Sequence, residues 1–251
     1  MLLKDKLGSG AYGTVYNGRL RHTPVAVKVC TTASESQLQD FVQEVKFMLN
    51  LRPHCNVVQI YGFCIREQKP HMVLEYMAGG SLKTYIRRQK VPNVELKDLF
   101  LGICRGMEHL HAYGIVHRDL AARNILLSKS KDPKVCDFGL SRVIKGDYWY
   151  SKQSYGPIPW MAPEAISINK YSVKSDIWSF GILMWECISR QSAIKDKDVL
   201  KLAIKIRDEG YTPPIPDDCF PLFRTLLGHC WAFKARKRPD FAILCDAFEG
   251  L

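Results

Sequence analysis

The stretch His117-Arg118-Asp119-Leu120-Ala121-Ala122-Arg123-Asn124, with Cys136-Asp137-Phe138-Gly139 beginning twelve residues after it, gathers most of the chemistry in this chain. A carboxylate such as Asp119, within reach of a hydroxyl, can accept its proton during attack on phosphorus. The amide oxygen of Asn124 and the carboxylate of Asp137 are hard oxygen ligands of the kind Mg²⁺ prefers. Taken singly, each is equally a loop side chain in solvent. Only the ordered conjunction points to a site.

Upstream, Gly8-Ser9-Gly10-Ala11-Tyr12-Gly13-Thr14-Val15 is rich in glycine. A dinucleotide fingerprint would need a helix after it, but Thr14-Val15-Tyr16 is β-type, so a hairpin loop is expected. Glycines there let backbone amides approach phosphate oxygens closely; a plain turn is the other reading. Lys28 closes the apolar run Val25–Val29, and Glu44 follows sixteen residues on. Burying an ammonium is costly without a partner, and Glu44 can be that partner. A surface lysine at a strand end is the alternative.

The 251 residues carry 47% hydrophobic and 24% charged side chains, which suits a folded domain and excludes disorder and low-complexity architectures. The longest apolar run, Ile177–Ile188, is broken by Ser179 and Glu186 and is too short for a membrane helix. The net charge of +11 is spread along the chain, with no aromatic-interleaved basic stripe, so nucleic-acid binding is not expected. Nine scattered cysteines without a CxxC pair argue against zinc and for a reducing, cytoplasmic setting.

Periodicity divides the chain. Strand-like runs cover Leu2–Leu7, Thr14–Arg19, Val25–Val29, Val57–Phe63 and His71–Tyr76, interrupted by a helix capped by Ser36 with Phe41, Val45, Met48 and Leu49 on its apolar stripe. After Ala78-Gly79-Gly80-Ser81 the pattern turns helical over Leu82–Arg88, Leu96–Tyr113, Val173–Ile188, Val199–Glu209 and Pro221–Phe233. The expected organisation is α+β: a small β-rich lobe with one key helix (1–76), a hinge (77–81) and a larger, mostly helical lobe (82–251).

In order, these motifs resemble the eukaryotic protein-kinase catalytic domain. The likeness runs from Leu7 to about Phe248 and includes Ala162-Pro163-Glu164, Asp176-Ile177-Trp178-Ser179-Phe180-Gly181, Cys230-Trp231 and Arg238-Pro239. Ala121, where serine/threonine kinases usually carry Lys, with the cation supplied by Arg123 instead, is similar to the tyrosine-kinase group. So are Pro157-Ile158-Pro159-Trp160-Met161 and Asp217-Asp218-Cys219. Two departures bear on peptide preference: Pro159 stands where a basic residue is common, and Arg190-Gln191-Ser192-Ala193-Ile194-Lys195 replaces a Gly-x-x-Pro segment.

The resemblance implies ATP and Mg²⁺ as cofactors and protein or peptide tyrosines as substrates, with dual-specificity transfer or a pseudokinase as alternatives. It gives Asp119 as base and Arg123 as its neighbouring cation. Lys28, braced by Glu44, would hold the α- and β-phosphates, and Asn124 and Asp137 the metal. Gly8, Gly10, Tyr12 and Gly13 would cover the phosphates. Leu7, Val15, Ala26 and Leu126 would enclose adenine, with backbone bonds at Glu75 and Met77; ATP-site inhibitors could bind there, and Leu74 would guard the back pocket, weakening those that need it. Met48, Ile60, His117 and Phe138 match an apolar column between lobes, and Arg238 would pair with Glu164. Trp149 occupies the register of a common loop tyrosine. A phosphate on Tyr150 or Tyr148, added in trans by another copy of an otherwise monomeric chain, would pair with Arg118, whereas Tyr155 is expected to be structural. Cys136 is either an alkylation site facing the nucleotide or an inert buried thiol. The chain is read as a catalytic domain excised from a larger protein.

Overall fold

Valines at alternate positions of Thr23–Val29 (β3) mark a strand with one packed face, and it becomes the centre of the small lobe. The computed structural model describes residues 2–10, 13–30, 35–151, 156–193 and 198–250. β1 (Leu2–Gly10), β2 (Gly13–Leu20), β3, β4 (Ile60–Arg66) and β5 (Lys69–Glu75) form an antiparallel sheet in the order β1-β2-β3-β5-β4. Directly paired residues share a face. The register sets Val15 opposite Lys28, Gly8 opposite Val15, Lys28 opposite Met72 and Ala26 opposite Leu74. The opposite face carries Val25, Val27, Val29 and Val73, packed with Tyr16. α1 (Glu35–Asn50) docks through buried Phe41, Val45 and Met48.

β6 (Gly80–Ser81), expected as part of the hinge 77–81, pairs instead with β8 (Ile125–Leu127) and through it with β9 (Pro133–Val135) in a sheet of the large lobe. Its helices are α2 (Leu82–Arg88), α3 (Asn93–Ala112), α4 (Pro163–Ile168), α5 (Val173–Ser189), α6 (Val199–Glu209), α7 (Pro221–Cys230) and α8 (Phe241–Glu249). Short strands β7 (Ile115–Val116) and β10 (Arg142–Val143) pair with each other, as do β11 (Trp149–Tyr150) and β12 (Lys170–Tyr171). α5 is nearly encased, with residues 175 to 187 all buried, so its polar side chains must find partners inside the protein.

Several sequence expectations shift. The strand expected over Val57–Phe63 starts at Ile60, because Val58 N–H instead donates to Val135 O at 3.0 Å and Val57 bridges Val135. Ser36 lies inside α1 rather than capping it, and Leu49, at the margin of the apolar stripe, is exposed. α7 stops at Cys230 because Trp231 turns the chain, leaving Phe233 exposed. α4 and α8 were not expected; α8 nevertheless carries a clear stripe of Phe241, Leu244, Cys245 and Phe248, all buried.

Candidate active site

Lys28 and Ala26 sit on the sheet face that α1 closes. Glu44, at 3% exposure, meets Lys28 with both oxygens, at 2.9 and 2.8 Å. Lys28 Nζ also donates to Asp137 Oδ1 at 3.2 Å. One ammonium therefore ties β3, α1 and the Asp137 turn together. Burial pulls the Lys28 pKa down, but Glu44 and Asp137 outweigh it and hold the ammonium above its ordinary range. Burial raises Glu44 despite Lys28. Asp137 ends below the usual carboxylate range, because Lys28 overcomes the effect of its burial.

Asp119 is positioned from beneath. Asp176 on α5 accepts His117 N–H at 2.8 Å, Arg118 N–H at 3.0 Å and a hydrogen bond from His111 Nε2 at 3.0 Å. His117 Nδ1 accepts Asp119 N–H at 3.2 Å, which leaves Nε2 to donate to Cys136 O at 3.1 Å. That imidazole links the catalytic loop to the strand before Asp137. Asn124 Nδ2 donates to Asp119 O at 2.7 Å and Oδ2 at 2.8 Å. The amide nitrogen is thus committed to Asp119, and its oxygen is the end suited to a cation. Arg123 donates to Asp119 Oδ1 and lies 4.2 Å over the Trp160 ring. Burial raises the Asp119 carboxyl, with Arg123, His117 and Asn124 pulling against it.

Glu186, also on α5, accepts Ala122 N–H and Trp160 Nε1–H, each at 3.0 Å. It thereby seats both the loop and the indole that supports Arg123, and burial raises its own pKa. Phe138 is buried, with its ring 5.5 Å from His117 and 5.5 Å from Phe47; Met48 and Ile60 share that core. Of the expected column, Phe138 and His117 are thus neighbours, and Phe47 packs against Phe138 as well. Arg238 is sealed and grips Glu164 with two bonds of 2.7 and 2.9 Å.

The remaining candidates fall as follows. Gly13 has φ +135°, and a Cβ there would stand 2.2 Å from Val29 O, so the turn takes glycine alone. Gly8 and Gly10 lie on β1 beside it, and Tyr12 and Tyr155 lie outside the described residues. Val15, Leu74 and Leu126 are half-buried, Ala26 is buried and Leu7 is exposed. Glu75 N–H donates to Gln59 O at 2.9 Å, and Met77 O accepts Gly80 N–H at 3.2 Å. The Glu75 side chain pairs with Lys134 at 2.8 Å. Arg190, in the departing segment, caps α2 by donating to Ile86 O at 2.9 Å and Arg87 O at 3.2 Å. Tyr148 and Tyr150 are exposed, with rings 5.3 Å apart. Cys136 donates to Asn124 O at 3.3 Å, and burial pushes its thiol well above the ordinary range, which favours the inert reading.

Sequence reasoning missed the roles of Asp176 and Glu186. A carboxylate inside an apolar helix was the available signal, since burial there demands a partner.

The residues present suit a magnesium–nucleotide. Among the described residues no three or more His, Cys, Asp or Glu form a metal cage. Mg²⁺ ordinarily takes one or two carboxylates and completes its shell with phosphate and water, and Asp137 with Asn124 matches that need. The model of the family described as protein tyrosine and serine/threonine kinase matches residues 1–248. The chain is 36% identical, over 99% of its length, to the tyrosine-protein kinase transforming protein Abl of Abelson murine leukemia virus, covering 34% of that protein. It is 39% identical over 96% of its length to the tyrosine-protein kinase TXK of Homo sapiens, covering 46% of it. Against fibroblast growth factor receptor 1 of Dugesia japonica the identity is 37% over the whole chain and 32% of the relative. The chain thus spans 32–46% of the length of these three relatives. With Lys28–Glu44 bonded to Asp137 and Asp119 bonded to Asn124, this chain belongs to the protein tyrosine and serine/threonine kinase family.

Proposed function

We propose that the chain transfers the γ-phosphate of Mg-ATP to a tyrosine hydroxyl of a protein or peptide. The observation that carries the tyrosine assignment is the contact of Arg123 with Asp119 from four residues on, with Trp160 behind the guanidinium and Ala121 fully buried. An arginine at 123 with alanine at 121 supports a tyrosine acceptor, whose phenol projects farther from its backbone than a serine hydroxyl. Asp119 orients the hydroxyl and takes its proton; its raised pKa keeps it basic enough for that task.

Bound Mg-ATP supplies the phosphoryl group and the divalent charge that neutralises it. Lys28, held by Glu44, serves the α- and β-phosphates, and Asn124 and Asp137 serve the metal. Gly8, Gly10 and Gly13 cover the phosphates. Val15, Ala26 and Leu126 are the proposed adenine walls, with Leu7 at the rim and Leu74 at the back. Backbone groups of Glu75 and Met77 are the proposed base contacts, as the kinase resemblance implies. Tyr148 and Tyr150 are exposed and are the proposed acceptors for trans-autophosphorylation between monomers. Nine free cysteines support a reducing, cytoplasmic setting, and no helix among the described residues is long and apolar enough to cross a membrane.

The test is a matched peptide pair differing only in Tyr or Ser at the acceptor. The Tyr peptide should be preferred by about 100-fold or more in kcat/KM, since a site shaped for one acceptor discriminates at the transition state. Equal rates would sink tyrosine specificity.

A further inference from the structure

Arg118 occupies an unusual position. It is 7% exposed, adopts φ +69°, and immediately precedes Asp119. A non-glycine residue in that backbone region persists only where its surroundings hold it. Its N–H is held by Asp176, and its guanidinium donates to Leu140 O at 3.0 Å and Ser151 Oγ at 3.5 Å. Two aromatic rings meet the guanidinium: Cζ lies 4.1 Å from the Tyr171 centroid and 4.7 Å from that of Trp149.

These rings are opposed by the β11–β12 pairing, in which Trp149 faces Tyr171. Arg142, from the strand that follows the Asp137 turn, also lies over Trp149, at 5.9 Å. One indole thus joins the catalytic loop, the post-Gly139 strand and the large-lobe strand β12. Indole is the strongest of the aromatic faces for a cation, and the attraction grows when water is excluded. Unlike a phosphate, it cannot be removed.

We propose that Trp149 is a positioning residue for the transfer reaction, holding Arg118, and through it Asp119 and the segment up to Ser151, in place without a phosphate on the loop. This rests on the kinase reading, with Asp119 as base. Tyr148 and Tyr150 flank the clamp but stand exposed, with Lys170 Nζ 4.0 Å over the Tyr148 ring. Phosphates added there modify a segment that is already placed.

The experiment compares phosphatase-treated wild type, confirmed free of phosphotyrosine by mass spectrometry, with the same protein preincubated with Mg-ATP. Phosphatase-treated Trp149→Ala and Trp149→Phe are measured beside them for kcat and KM on a tyrosine peptide, for Kd of a non-hydrolysable ATP analogue and for Tm. The dephosphorylated loop should already work, with preincubation changing kcat by less than about threefold. Trp149→Ala should lose about tenfold in kcat with Kd and Tm near wild type, and Trp149→Phe should keep most of the activity, as expected for a half-buried ring against a buried guanidinium. The proposal is overturned by a wild type that is idle until preincubated, or by Trp149→Ala at wild-type kcat. It is equally overturned if both variants lose Tm and nucleotide binding together, which is packing alone. A wild type that binds the analogue yet transfers nothing in either state removes the kinase reading, and this proposal with it.

Discussion

Asp119 works only as a carboxylate, and burial raises its pKa against the pull of Arg123, His117 and Asn124. A base with a raised pKa is lost to protonation at higher pH than an ordinary aspartate. The acid limb of kcat/KM is therefore expected at higher pH than an ordinary aspartate would give, falling as pH drops, with a slope of one; a limb at or below the ordinary aspartate position would show the site to be more polar than its geometry implies. Asp119→Asn should lower kcat by about 100-fold or more while leaving nucleotide affinity near wild type, the usual scale for a general base. Cys136 is a contrasting case. Its thiol is pushed up by burial, whereas Cys55 and Cys64 are exposed. Limited alkylation at neutral pH, read by peptide mass mapping, should label Cys55 and Cys64 and spare Cys136; early labelling of Cys136 would restore the reactive-site reading. At this scale the sequence was most legible. Lys28, Asp119, Asn124 and Asp137 are chemically distinctive at fixed spacing, and the structure gathers them. Backbone amides have no signature in sequence, so the apolar setting of Asp176 signalled a partner but not that the partner is the N–H groups of His117 and Arg118.

Among the elements, α5 organises the site. Asp176 holds the catalytic loop, Ser179 Oγ donates to Trp160 O at 2.7 Å, and Glu186 binds Ala122 and Trp160. The helix is close to its neighbours along its length: a Cβ on Gly181 would lie 2.6 Å from Trp231 Nε1 and 3.0 Å from Cys230 Cβ. Gly181→Ala should cost about 1–3 kcal/mol, the range for overpacking a filled core, and denaturant unfolding would measure it. Arg238 seals the other end of this region. Arg238→Ala should cost about 3–5 kcal/mol, because it leaves Glu164 partly buried with its charge unanswered; a loss below about 1 kcal/mol would place the pair among ordinary surface bridges. α2, α5 and α6 were readable nearly to the residue, since their caps coincide with the start of an apolar stripe or, in α5, of a long apolar run. α8 carried an equally readable stripe. The short strands β7 and β10 to β12 did not, because two-residue pairings come from tertiary contact and have no periodicity.

For the whole molecule, the sheet and α1 bring Lys28 and Glu44 down onto a helical base that presents Asp119, Asn124 and Asp137. The division into a β-rich and a helical part was legible as a change from period two to period 3.6 near Gly79 and Gly80. What joins the parts was less so: Lys28 to Asp137 spans 109 residues, and only the fold makes them neighbours. The central claim is tyrosine phosphorylation by this cleft. Phosphoamino-acid analysis tests it most directly, after incubating the protein with Mg²⁺, labelled ATP and a mixed Tyr, Ser and Thr peptide pool, with Asp119→Asn in parallel. The account predicts phosphotyrosine alone, absent from the mutant; phosphoserine or phosphothreonine, or label that survives Asp119→Asn, would contradict it.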